Sequence, residues 1–200
     1  MKVKHLKFMV FIILIMLTNG CARYARSVNM LYTPAAVSQQ ASGDLYVVIP
    51  ENQLTPSAQV KWVIGKVTDD ENKKIDELFS PRSPAELAQS ALSQELKRTG
   101  YTVLPVAKRP DTHTKLIDIS KVEISLNQLS DFADLKATCR VLIALDIYKN
   151  GELIRKLEYQ SLSSKTDIKD RDLLARAVLQ EAFQSVMTKA LPDLVQLFER

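Results

Sequence analysis

Between Cys139 and Ile147, "CRVLIALDI", the odd-numbered residues Cys139, Val141, Ile143, Leu145 and Ile147 are all apolar. A period of two puts them on one face of a β-strand, whereas a helix would scatter them around its axis. Asn150 and Gly151 follow, the dipeptide most typical of a tight β-hairpin, and "ELIRKLEYQSL" reads as the returning strand. A two-residue Asn-Gly turn would pair Lys149 with Glu152 and bring Lys156 and Glu158 onto the face of Leu145 and Ile143. A three-residue loop, Lys149-Asn150-Gly151, pairs Tyr148 with Glu152 and places Leu153, Leu157 and Tyr159 there instead. A slip of one residue exchanges whole faces, so burial selects the three-residue loop, with Gly151 in the left-handed position.

The segments before this hairpin also read as alternating β elements and one helix. "DLYVVIP" (44–50) and "QVKWVIGKVT" (59–68) are strands, and "IDELFS" returns after the polar turn "DDENKK". In "KLIDISKVEISLNQL" the parity changes: Ile117 and Ile119 precede Val122, Ile124 and Leu126. One face holds both sets only if a bulge lies near Ser120. In "SPRSPAELAQSALSQELKRTG", Ser83 and Glu86 make a capping box, with Pro84 at the first helical position. Leu87, Ala88, Ala91, Leu92 and Leu96 form its apolar stripe, and Gly100 supplies the left-handed cap. "YTVLPV" is the next strand.

A terminal helix carries the stripe Leu179, Ala182, Phe183, Val186, Met187, Ala190, Leu191, Leu194, Val195 and Phe198. Such a stripe suits a core helix on a sheet better than a membrane-surface or partner-binding helix. Pro192 is expected to kink or break it. The fold class is α+β: a mostly antiparallel sheet with two helices packed on one face, behind a lipoprotein signal peptide.

The leader is "MKVKHLK" followed by "FMVFIILIML" and "TNGC". A membrane-spanning helix needs about 20 apolar residues, so this shorter run is a signal-peptide core. Leu17, Gly20 and Cys21 resemble the lipobox of bacterial lipoproteins. That resemblance implies cleavage after Gly20 and S-diacylglycerol plus N-acyl modification of Cys21. Each buried CH₂ of such a lipid contributes about 0.8 kcal/mol, and several chains make a stable anchor. The expected domains are a signal peptide (1–20), a lipidated N-terminus and tether (21–43, in which "SVNMLY" adds a short strand), and one α+β periplasmic domain (44–200). In lipoproteins of this kind Ala after the cysteine, here Ala22, permits export to the outer membrane, so the expected location is its periplasmic side.

Charge argues against a nucleic-acid partner. The chain has 27 basic and 23 acidic residues. Lys2, Lys4 and Lys7 belong to the leader, which has no acid, so the remainder carries 24 against 23, or about +1. Cys139 becomes the one thiol left after lipidation and reads as a buried, inert core residue.

Catalytic motifs are absent: no G-x-S-x-G, no Gly-rich phosphate loop and no C-x-x-C. His113 lies in the polar loop "PDTHTK". Asp167, Asp170 and Asp172 stand where the terminal helix begins, as capping and dipole favour. Asp69, Asp70 and Glu71 lack the spacing and the glycine of a calcium loop. Trp62 reads as core aromatic rather than binding aromatic. No cofactor, metal or small-molecule substrate is expected.

Taken with the element order, "VIGKVTDD", "QELKRTGYTVLP" and "IALDIYKNGELIRKLEY" resemble the YajG-type bacterial lipoproteins, and more weakly the auxiliary lipoproteins of envelope ABC transport systems. The first resemblance implies an envelope lipoprotein; the lipobox, the compact α+β domain and the missing catalytic groups lead to the expectation of a non-catalytic binding or scaffold module anchored in the cell envelope, with another envelope protein as partner. The second implies an accessory of lipid transport, with cargo between sheet and helices. A cell-wall or lipid hydrolase is the remaining class.

Overall fold

The structure, a computed structural model, describes residues 26–35, 41–49, 51–57, 59–111, 114–130, 135–167 and 170–200. In chain order its elements are β1 (Arg26–Ser27), β2 (Asp44–Val48), a 3-10 turn (Glu51–Gln53), β3 (Trp62–Thr68), β4 (Lys74–Ser80), α1 (Pro84–Thr99), β5 (Thr102–Val106), β6 (Lys115–Ser130), β7 (Leu135–Lys149), β8 (Glu152–Asp167) and α2 (Arg171–Glu199). No helix among the described residues is long and apolar enough to cross a membrane.

β6 is the spine. One of its edges pairs antiparallel with β7 from end to end, and β7 pairs antiparallel with β8. The other edge is shared. β2 takes Leu116–Asp118 and β3 takes Leu126–Leu129, both parallel to β6. β5 adds to β2 in parallel, β4 to β3 antiparallel, and β1 to β4 in parallel.

The sheet is therefore mixed: its long ladders, β6–β7 and β7–β8, are antiparallel as expected, and the parallel pairings of β1, β2, β3 and β5 are what the expectation of a mostly antiparallel sheet did not include. β2 and β3 behave as one interrupted strand laid along β6. The chain leaves that edge after Val48, passes the 3-10 turn, and rejoins it at Gly65 of β3 further on. Alternation in sequence marks a strand but carries no information about the direction of its neighbour.

The phase fault in β6 is resolved by a bulge. The register skips between Ile119 and Lys121, leaving Ser120 extra, so Ile117 and Ile119 share a face with Val122, Ile124 and Leu126. Along β7, Leu135, Ala137, Cys139, Val141, Ile143, Leu145 and Ile147 are buried. α2 packs across β7 and β8, α1 packs on β5 and β6, and the two helices touch.

α1 is capped as its sequence demands. Glu86 N–H donates to Ser83 Oγ at 3.0 Å, and Ser83 N–H donates to Glu86 Oε2 at 2.8 Å. Gly100, at φ 112°, donates to the Leu96 and Lys97 carbonyls. α2 differs from expectation because it continues through Pro192 without a break. Residues beyond the proline are anchored by packing: Leu194 and Phe198 are buried, and Tyr159 on β8 donates to Asp193. Pro192 and Thr188, whose carbonyl would otherwise bond the missing N–H, both face solvent.

The β7–β8 turn also differs. Asn150 (φ 52°) and Gly151 (φ 84°) form a two-residue turn that pairs Lys149 with Glu152. The facing of the hairpin is nevertheless the expected one, because β8 carries a bulge: Tyr148 pairs with Leu153, but Ile147 pairs with Arg155. Ile154 is the extra residue. It returns Leu157 opposite Leu145 and Tyr159 opposite Ile143. Leu153, expected on the buried face, is instead 45% exposed.

Candidate interaction surfaces

The N-terminal segment is a strap rather than a free tether over residues 26–35. β1 pairs with β4, and Val28 N–H donates to the Phe79 carbonyl. Val28, Met30 and Tyr32 alternate inward and join the core. The strap then bridges both helices. Tyr32 Oη donates to Glu95 Oε1 at 2.6 Å, and Ala35 N–H donates to the same oxygen at 2.7 Å. Burial first, and then the Glu95 carboxylate, push the Tyr32 phenol far above its usual range. Arg98 donates to the carbonyls of Pro34 and Ala35. Thr33 is held from α2: Gln180 and Gln184 donate to its carbonyl at 2.6 and 2.8 Å. Glu95 is fully buried, and its Oε2 has no hydrogen-bond partner among the described residues.

A second cluster pins the excursion between β2 and β3. The Glu86 carboxylate accepts from Thr55 N–H at 3.1 Å and from the Thr55 hydroxyl, and Trp62 Nε1 donates to Thr55 Oγ1 at 3.0 Å. Trp62 is thus half-buried and tied by its polar edge.

Grooves open at the surface among the described residues. One, of about 290 Å³, lies between the end of α2 and the turn half of β8, lined by Arg155, Leu157, Asp193, Gln196, Leu197 and Arg200. Another, of about 270 Å³, lies where β3 meets β6 and β7 and includes Lys66, Thr68, Asn127 and Lys136. The crevice between sheet and helices, walled by residues such as Leu92, Ile119, Ile143 and Met187, is closed to a water molecule.

The residues singled out from sequence fall into structural roles or outside the described chain. Cys21 and His113 lie outside the described residues. Asp170 caps α2, accepting from the N–H groups of Asp172 and Leu173 at 3.0 and 2.9 Å. Asp167 ends β8, and Asp172 lies in the first turn of α2. Cys139 is buried, and burial pushes its thiol up to about 12. In the acidic turn, Asp69 Oδ1 accepts from Lys73 N–H at 2.7 Å, and Asn72 takes φ 61°.

Two features went unread in sequence. Glu95 sits within the apolar stripe of α1, between Leu92 and Leu96, and a charge at that spacing signals a buried partner. Arg155 was placed by a bulge that alternation does not reveal.

No family model and no curated protein matches the chain. Among solved structures, a homolog of neuraminyllactose-binding hemagglutinin from Helicobacter pylori is 13% identical, with 86% of this chain and 95% of that chain covered and a TM-score of 0.48. A Xanthomonas campestris protein of the family described as DUF330 is 10% identical, with 84% and 92% covered and a TM-score of 0.43. The rare lipoprotein B from Shewanella oneidensis is 10% identical, with 66% and 94% covered and a TM-score of 0.35.

Proposed function

We propose that this chain is a lipid-anchored, non-catalytic binding or scaffold module of the bacterial cell envelope, of the YajG-like type, that engages another envelope protein. The observation that carries the reading is the strap. Arg26 is already paired to β4, five residues after the cysteine of the lipobox, so the covalent reach from Cys21 to the folded sheet is at most about 18 Å. A lipid on Cys21 would hold the β1–β4–β3 wing close to the bilayer. Two of the groups weighed for chemistry have structural roles, which supports the non-catalytic reading: Asp170 caps a helix and Cys139 fills the core. The alternative, cargo stored between sheet and helices as in a lipid-transport accessory, would need the closed crevice there to open.

Incorporation of labelled palmitate tests the anchor. The wild type should take up label and Cys21→Ala should not; label on the variant overturns the anchor. Ala22 supports export to the inner leaflet of the outer membrane, and Ala22→Asp should move the protein to inner-membrane fractions on a density gradient. Co-sedimentation of both forms with the inner membrane would reject that address.

A further inference from the structure

We infer that the groove between α2 and the turn half of β8 docks an acidic, partly apolar segment of the partner polypeptide. This rests on the reading of the domain as a binding module and names the face it uses.

The bulge at Ile154 is the origin of the site. It sets Arg155 opposite Ile147, on the helix-bearing face of the sheet, beside the last turns of α2. Arg200 faces it there, with Gln196 within hydrogen-bonding reach of its guanidinium. Neither arginine has an ion-pair partner among the described residues. The acid in the groove, Asp193, is already engaged, since Tyr159 Oη donates to its Oδ2 at 2.8 Å. Leu157 and Leu197 form the apolar lining between the two cations.

Ile154, in the bulge itself, is 41% exposed beside Arg155, whereas Leu153, opposite Tyr148, lies on the other face of the sheet. Toward the other end of β8 the surface is closed: Lys189 donates to the Gln160 carbonyl, and Lys165 pairs with Glu181. Guanidinium groups match carboxylates in a planar, two-pronged geometry. With Leu157 and Leu197 between them, they favour a ligand that is both anionic and apolar. Arg155 and Arg200 are themselves exposed, so the groove is too open to enclose a small molecule, which a dedicated pocket buries almost wholly. It suits side chains presented by a larger partner.

The probe is a fluorescein-labelled synthetic peptide alternating Leu and Glu, titrated into the full mature chain by fluorescence anisotropy. A Leu/Gln peptide is the neutral control. The Leu/Glu peptide should bind and the Leu/Gln peptide should bind more weakly. Arg155→Glu and Arg200→Glu should each weaken binding by about tenfold without moving the melting midpoint. Lys66→Glu, in the other groove, should bind as the wild type does. Equal binding by wild type and Arg155→Glu, loss of binding in Lys66→Glu, or displacement of the peptide by sodium laurate would overturn the assignment, the last because the occupant would be an acyl chain.

In cells, a photo-crosslinking residue at Ile154 should capture an envelope protein through an acidic segment, and one at Lys66 should not. Capture at Lys66 alone rejects this groove and leaves the binding module standing. Capture at neither position, nor at any other exposed position, rejects both.

Discussion

Gly65 of β3 and Leu126 of β6 approach so closely that a Cβ on Gly65 would lie 1.9 Å from the Leu126 carbonyl oxygen. The obstacle is backbone in the central strand, which cannot move aside as a side chain could. The register of β3 against β4 also skips beside this glycine, between Val63 and Gly65. Gly65→Ala should therefore push β3 away from β6 and cost about 2–4 kcal/mol, a fall of roughly 4–16 °C in Tm. Gly151→Ala meets nothing within 4 Å and strains only its positive φ, so it should cost about 1 kcal/mol. Thermal unfolding of the two variants side by side checks the difference; equal losses would contradict the close approach.

Ile154 is the residue that reconciles a two-residue turn with the buried faces of β7 and β8. Its deletion should leave a regular hairpin with Leu157 still opposite Leu145, and a stability within about 1 kcal/mol of the wild type. Deleting Ala144 from β7 should instead turn one half of a central strand inside out and abolish cooperative unfolding. Circular dichroism melts distinguish the two. An unfolded Ile154 deletion would refute the bulge.

Met30 separates a strap from a tether. It is 3% exposed in the core, and Met30→Ala should cost about 2–4 kcal/mol. Chemical denaturation should show a lower midpoint with an unchanged slope. A midpoint equal to that of the wild type would mean that residues 26–35 do not contribute to the folded unit.

Acid should weaken the fold through Glu86. Burial opposes ionisation there, but hydrogen bonds from Thr55 and Ser83 outweigh it and hold the carboxyl below its ordinary 4.5. Glu199, which accepts from Lys115 and Tyr101, is lowered as well. For a depressed carboxyl the stabilising contribution is fully present above the unfolded value and lost as pH falls through the folded one. Tm should thus hold from neutral pH down to about 4.5 and then decline. Glu86→Gln should decline less over the same acid range, because its amide still accepts the capping bond but does not titrate. Parallel acid limbs for the two proteins would contradict this role.

Local signals were legible in the sequence where one short stretch determines the outcome. The capping box of Ser83 and Glu86, the cap at Gly100, the bulge at Ser120 and the buried parity of β7 all follow from spacing alone. What escaped was set by distant partners. The parallel entry of β2 and β3 depends on both reaching the same edge of β6. The turn at Asn150 looked incompatible with the apolar faces because a compensating bulge at Ile154 leaves no periodic trace in a strand that is mostly exposed. The local rule for proline predicts a kink or break at Pro192, and packing of Leu194 and Phe198 carries the helix through it. The Ala- and Ser-rich composition around the strap concealed Val28, Met30 and Tyr32, whose alternation spans too few residues to stand out.

The strap also imposes an order in time. Thr33 is held by Gln180 and Gln184, which lie 147 and 151 residues further along the chain. At synthesis rates of about 5–20 residues per second, those glutamines emerge roughly seven to thirty seconds after the threonine. During that interval the neighbourhood of Cys21 has been made while its clasp on α2 has not. In that interval the strap has β4 to pair with but nothing to hold Thr33, so it takes its final place across both helices only when the last helix is complete.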